Sequence, residues 1–230
     1  MKTKEIYSLT PSIGGSFSFA WSKMFDKFVY LLVIIMISGI IQGPIQATYK
    51  ADNFHLWMIP LIGFGLMWGF LIAPAIKYGE KFVFLKAMRE EEFEIRDLFN
   101  GFSGMYGNII LTNLIVFALV VLGFIMLIIP GIIVACRLIF VPYILMDQNL
   151  EPMQAVEKSW KMTRGHGWEI FFMAIISCFV IIAGLICLIA GIFISIMWIH
   201  SAFASLYQAL LNQESDSYSI PILEVHEVPE

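Results

Sequence analysis

The chain reads as an all-α integral membrane protein, a polytopic bundle of six transmembrane helices with amphipathic interfacial helices on its cytoplasmic side. Two observations predict this. Of 230 residues, 59% are hydrophobic and only 14% charged, whereas soluble domains carry about 25% charged residues. The charges are also segregated: Asp, Glu, Lys and Arg are missing from residues 28–49, 53–76, 98–136 and 170–213, and about 20 apolar residues suffice to span a bilayer as a helix.

The spans follow in order. The first two are direct, at 28–47 and 57–76, separated by the polar stretch 48–55. The third apolar run holds 39 residues and would reach about 58 Å as one helix against about 30 Å of hydrocarbon, so it must fold back. Pro130-Gly131 is the expected turn, because Pro lacks an N–H and Gly accepts the dihedrals of a reversal; spans 108–129 and 132–146 result. The same argument divides 170–213 near Ala190-Gly191, with Gly184 as a competing position, into spans 168–189 and 192–211. Residues 1–212 form a single transmembrane domain. Residues 213–230, with five acids and no base, read as a disordered cytoplasmic tail, though the alternation over 220–228 would also suit strand addition to a partner. A signal peptide is not expected, since 27 mostly polar or amphipathic residues precede the first apolar run.

The basic residues set the orientation. Lys2, Lys4, Lys23 and Lys27 precede span one; Lys77, Lys81, Lys86, Arg89 and Arg96 follow span two; Lys158, Lys161 and Arg164 follow span four. Lys50 alone lies on the opposite side, and Arg137 is inside span four. Twelve against one places both termini and both long connectors in the cytoplasm by the positive-inside rule. Removing the five tail acids from the net charge of -4 leaves the rest at +1, with no basic stripe for nucleic acid.

Each connector before an odd-numbered span reads as a short amphipathic helix at the headgroup layer. Phe17, Trp21, Met24, Phe25 and Phe28 mark the first; Ile95, Leu98, Phe99 and Phe102 the second; Met153, Val156 and Trp160 the third, which Pro152 opens. The chain therefore resembles three copies of one unit, with a weak similarity between Ala20-Trp21-Ser22-Lys23-Met24 and Lys158-Ser159-Trp160-Lys161-Met162. Small residues at Gly65, Gly69 and Ala73, and at Gly191 and Ser195, mark faces where helices approach closely, within one chain or between copies.

Few residues carry chemistry. Arg137 sits about 9 Å below the expected turn, and a charge there costs about 2.5–3.5 kcal/mol on insertion scales; it is a candidate site for an anionic lipid or solute, or a structural Arg bound to carbonyls near Pro130 or Pro142. His200 lies mid-span as a second candidate, without a visible acidic partner at its depth. Cys136, Cys178 and Cys187 lack metal-ligand spacing and read as apolar packing. Glu90-Glu91-Glu92 reads as a solvated helix end or a docking patch. Gly131, Gly165 and Gly167 read as turn residues. No cofactor, metal or catalytic residue is expected. Asp147 and Glu169 are the acids an enzyme would have to use.

Tyr78-Gly79-Glu80, Arg89-Glu90, Asp97-Leu98-Phe99-Asn100-Gly101-Phe102, Ile129-Pro130-Gly131 with Arg137 and Pro142, and Ala155 with Ser159 and Gly165 resemble a family of bacterial polytopic membrane proteins. That family is similar to the membrane domain of glycerophosphoryl diester phosphodiesterases. The resemblance covers about residues 75–170. It implies a bacterial inner-membrane bundle without the phosphodiesterase barrel. The expected function is non-enzymatic: organising or binding lipids or partner proteins, with a homo-oligomer possible and a small transporter or permease subunit as the alternative. A transporter should hold a cavity reaching Arg137 or His200; an enzyme should gather Asp147, Glu169 and a His.

Overall fold

The computed structural model describes residues 9–48, 59–186 and 188–219. It is all-helical, with 87% helix and no strand among the described residues. In chain order the helices are α1 (Ile13–Met24), α2 (Phe28–Thr48) after a 3-10 turn at Phe25–Lys27, α3 (Ile59–Met88), a 3-10 helix Ile95–Phe102, α4 (Tyr106–Met126), α5 (Ile128–Arg137), α6 (Val141–Gln148), α7 (Pro152–Met162), α8 (Gly167–Ile186) and α9 (Leu188–Ser219). Among the described residues, five stretches are long and apolar enough to cross a membrane: 13–42, 106–126, 128–148, 167–186 and 191–215.

The expected turn at Pro130-Gly131 is corrected. The chain reverses at Leu127, whose backbone is extended (φ -171°, ψ 158°) between α4 and α5. Pro130 sits in the first turn of α5, where its missing N–H has no intrahelical partner to lose. Gly131 serves packing: a Cβ on Gly123 would stand 3.0 Å from the Gly131 Cα, so the hairpin closes backbone to backbone. In the second long run α8 is described to Ile186 and α9 from Leu188, which leaves Gly191 inside α9. A Cβ on Gly184 would lie 2.7 Å from the Gly191 carbonyl oxygen, and the Ser195 hydroxyl donates to the Val180 carbonyl at 3.0 Å. The small residues of α9 therefore mark a close approach, as expected. Of the three glycines read as turns, only Gly165 has positive φ, at 94°.

The break after Arg137 has a local cause. Pro142 cannot donate to the Leu138 carbonyl, and the Arg137 carbonyl accepts from the Ser159 hydroxyl at 2.7 Å. With both acceptors diverted, α5 and α6 are separated by a turn over residues 138–140.

All three amphipathic segments are helical, with their apolar residues divided between bundle and exterior. Phe17, Met24, Leu98 and Val156 are buried, whereas Trp21, Phe25, Ile95, Phe99, Phe102, Met153 and Trp160 are exposed. Capping boxes at Glu94/Asp97 and Glu151/Gln154 start the second and third. The second is fixed to α3 by glycine: a Cβ on Gly79 would lie 2.7 Å from the Leu98 carbonyl carbon, and one on Gly101 3.1 Å from the Ala75 carbonyl carbon.

A short helix thus precedes a pair of apolar stretches three times. The 3-10 helix packs on α3, α7 on α6 and α4, and α1 on α9. At the centre α3 meets both α6 and α9. Residues 201–210 of α9, rich in Ser and Ala, permit that close packing. In the apolar stretch of α9, 61% of residues are buried against 17% in α4, so α9 is a central helix and α4 a peripheral one. The polar connectors share one end, joined by Lys23–Glu90, Lys86–Asp97 and Lys158–Glu214 ion pairs. The tail is corrected too: residues 213–219 continue α9. The alternating stretch 220–228 and Cys187 lie outside the described residues.

Candidate functional site

α3 is where the sequence reading and the structure differ most. The expected span ends at 76, yet the helix continues to Met88, because Phe82-Val83-Phe84-Leu85 resume the apolar pattern after Lys77 and Lys81. Lys77, Glu80 and Lys81, expected in a cytoplasmic connector, instead face a cavity of about 490 Å³ among α2, α3, α4, α5, α6 and α9. That volume falls in the roughly 300–1,000 Å³ range of small-molecule sites.

The cavity has a charged pole and an apolar wall. At the pole Lys77, Glu80 and Lys81 of α3 meet His200 of α9, with Ser38, Gln42 and Asn113 alongside. The wall is Val116 and Val120 of α4, Leu138, Ile139 and Ile196. Val120 and Asn113 are seven and fourteen residues before Leu127, about 10 and 21 Å along the helix. The cavity therefore runs from mid-bundle toward the connector end.

Glu80 is buried and its Oε1 stands 3.8 Å from His200 Nε2; His200 thus has an acidic neighbour after all. The His200 ring also lies 5.2 Å from that of Phe84. The Lys81 ammonium sits 5.3 Å over the Tyr143 ring, a cation–π contact. Lys77 is exposed and forms no hydrogen bond or ion pair among the described residues. The Ser38 hydroxyl is buried against the Glu80 carboxylate.

Beneath the cavity, at the connector end, the bundle is closed. The rings of Tyr143 and Tyr207 stack at 5.4 Å, and Phe140 lies 6.1 Å from each. Below them Arg89 grips both carboxylate oxygens of Asp147 and donates to Gln208 at 2.7 Å, while the Tyr207 hydroxyl donates to Asp147 at 2.9 Å. One residue from the α3 end, one from α6 and two from α9 meet in this cluster.

Arg137 lies elsewhere. As the last residue of α5 it turns to α7, with its guanidinium 4.9 Å over the Trp160 ring and a 3.4 Å hydrogen bond to the Trp160 carbonyl. Its place at a helix C-terminus favours a cation. The carbonyl it meets belongs to α7, not to the neighbourhood of Pro130 or Pro142. Arg137 and His200 are therefore not brought together. Among polar residues of the apolar helices, Asn113 and His200 line the cavity, whereas the Ser195 hydroxyl is engaged with the Val180 carbonyl. Asp147 is held by Arg89, and the Glu169 carboxylate accepts from His166 Nδ1 at 2.8 Å. In the acidic run, Glu90 pairs with Lys23 and the Glu91 carbonyl accepts from Lys27.

The fold and its apolar helices define a class, the multi-pass helical membrane protein, here with an ionisable cavity inside the bundle. No family model, curated protein or solved structure matches the chain.

Proposed function

We propose that the protein is a non-enzymatic six-span membrane protein that holds a lipid-like ligand in its central cavity. The observation that carries this reading is the juxtaposition of Lys77, Glu80, Lys81 and His200 with an apolar wall, all inside one 490 Å³ space. Charged groups at such depth are costly and mark ligand paths by default. Counting α3 as the sixth span, with its charges turned to the cavity, places both termini in the cytoplasm, in keeping with the positive-inside rule. A bacterial inner membrane is the setting that the family resemblance implies. The non-enzymatic reading is supported by Asp147 and Glu169 lying apart, the first held by Arg89 and the second by His166, rather than gathered in one pocket. The test is lipid content: protein extracted from membranes should carry bound lipid detectable by native mass spectrometry, and Val116→Trp, which fills the wall, should remove it without unfolding the protein. Equal lipid retention in the variant refutes the cavity as its site.

A transporter is the second reading, favoured by one observation: the cavity is shut at the connector end by the Phe140–Tyr143–Tyr207 layer and the Arg89–Asp147 cluster. A carrier has to open that layer. Asn113→Cys in a cysteine-free protein separates the readings, since labelling by a membrane-impermeant thiol reagent from both membrane faces supports transport and labelling from no more than one face supports a static binding site.

A further inference from the structure

We propose that the cavity selects an anionic amphiphile, an acyl chain bearing a phosphate or carboxylate head, with Lys77 as the head-group counter-ion. This rests on the ligand-binding reading above and narrows it to a chemical class.

The charge inventory leads there. Two ammonium groups and one carboxylate line the cavity, a surplus of one positive charge even with His200 neutral. The single Glu80 carboxylate is shared electrostatically by Lys81 first and Lys77 second, and Lys81 also lies on the Tyr143 face. The surplus therefore falls on Lys77, the cavity cation that has no ion pair or hydrogen bond among the described residues. Lys77 is also the exposed one of the two cavity ammonium groups, and so the one that an incoming anion can reach. Ser38 and Gln42 face the Glu80 carboxylate and hold it in place. Phosphate and carboxylate oxygens accept from an ammonium, which a choline or ethanolamine nitrogen cannot do. The wall specifies the rest of the ligand. Val116, Val120, Leu138 and Ile139 offer no polar group to a free ion, but they do offer apolar contact to a chain.

The probes are dodecyl phosphate, dodecanoate, phosphatidylglycerol, phosphatidylcholine and inorganic phosphate, added to delipidated protein in a non-ionic detergent, with affinity read from the shift in thermal midpoint. Dodecyl phosphate and phosphatidylglycerol should bind, and Lys77→Gln should weaken both by at least about tenfold, the equivalent of one lost charge-assisted contact. Lys77→Arg should restore them, which separates loss of charge from loss of fold. Val120→Trp should abolish binding. Phosphatidylcholine binding as tightly as phosphatidylglycerol, with both lost in Val120→Trp, overturns the anionic class while leaving the ligand-binding cavity intact. Inorganic phosphate binding as tightly as dodecyl phosphate overturns the amphiphile and makes the site one for a free anion. Binding of every probe unchanged by Val120→Trp overturns both this inference and the cavity reading beneath it.

Discussion

Arg89 and Arg137 are both arginines at the ends of helices, yet their surroundings assign them different weights. Arg89 and Asp147 have side chains only 12% and 11% exposed, and their bidentate pair is joined by Gln208 and Tyr207. Removing one partner of such a pair leaves a buried charge, at a cost of about 3–5 kcal/mol. Arg89→Ala should therefore lower the thermal midpoint sharply in detergent, and an unchanged midpoint would show that water already satisfies Asp147. Arg137 sits nearer the exterior, over one ring and one carbonyl. Replacement by Met keeps much of the packing against Trp160 and loses the cation–π contact, worth about 0.5–1 kcal/mol at exposed sites. Arg137→Met should shift the midpoint slightly and leave the lipid content of the protein unchanged by mass spectrometry. Loss of lipid on that substitution would reinstate an anion site at Arg137.

At the scale of elements, the 3-10 helix Ile95–Phe102 is held by features that a helix of eight residues would not supply alone. Runs of this kind beyond three or four residues are uncommon, and here Gly79 and Gly101 bring two backbones into contact. Gly79→Ala should destabilise the protein by about 1–3 kcal/mol, the usual penalty of overpacking. Gly63→Ala, on an exposed part of α3 where a Cβ meets nothing within 4 Å, should be neutral or stabilising, since alanine is the better helix former. Equal effects at the two positions would contradict the packing argument. Asp97 adds a pH dependence. Burial pushes its carboxyl up, but hydrogen bonds from the Lys86 ammonium, the Glu94 N–H and the Asn100 amide outweigh this and hold it below the usual range. A carboxyl depressed by folding contributes stability above its unfolded value near pH 3.9 and loses it as pH falls through the folded value. Amide exchange over residues 95–102 should therefore accelerate relative to α8 below about pH 4. Asp97→Asn should show that faster exchange already at neutral pH.

For the whole molecule, the exposed apolar faces of α4 and α8, from Leu111 to Ile125 and from Phe172 to Ile186, need a covering that water cannot give. Lipid supplies it. Topology then follows from which end the connectors occupy. In a cysteine-free protein, Asn53→Cys should react with a membrane-impermeant thiol reagent in intact cells, and Glu92→Cys should react only after permeabilisation. The reverse pattern would invert the proposed orientation.

Hydrophobic runs and the arithmetic of helix length fixed the class, the folding back of the two long apolar runs and the presence of helices in the three connectors, because these depend on composition along the chain and on the thickness of a bilayer. Pro152 opening α7, and Gly191 with Ser195 at a close helix contact, were legible for the same local reason. The positions of the reversals were not, since Pro130 is acceptable in a first helical turn and Gly131 was needed for contact with Gly123; both facts concern a neighbouring helix. Nor was the cavity. Charge marked Lys77, Glu80 and Lys81 as connector residues, while the continuing pattern of Phe82 to Leu85 was the one local sign that α3 ran on. Only the meeting of α3 with α6 and α9 turned those charges inward, gave His200 its neighbour and sent Arg137 to Trp160. A polar residue's role inside a bundle is set by which groups surround it, and that is a property of helix packing rather than of any single segment.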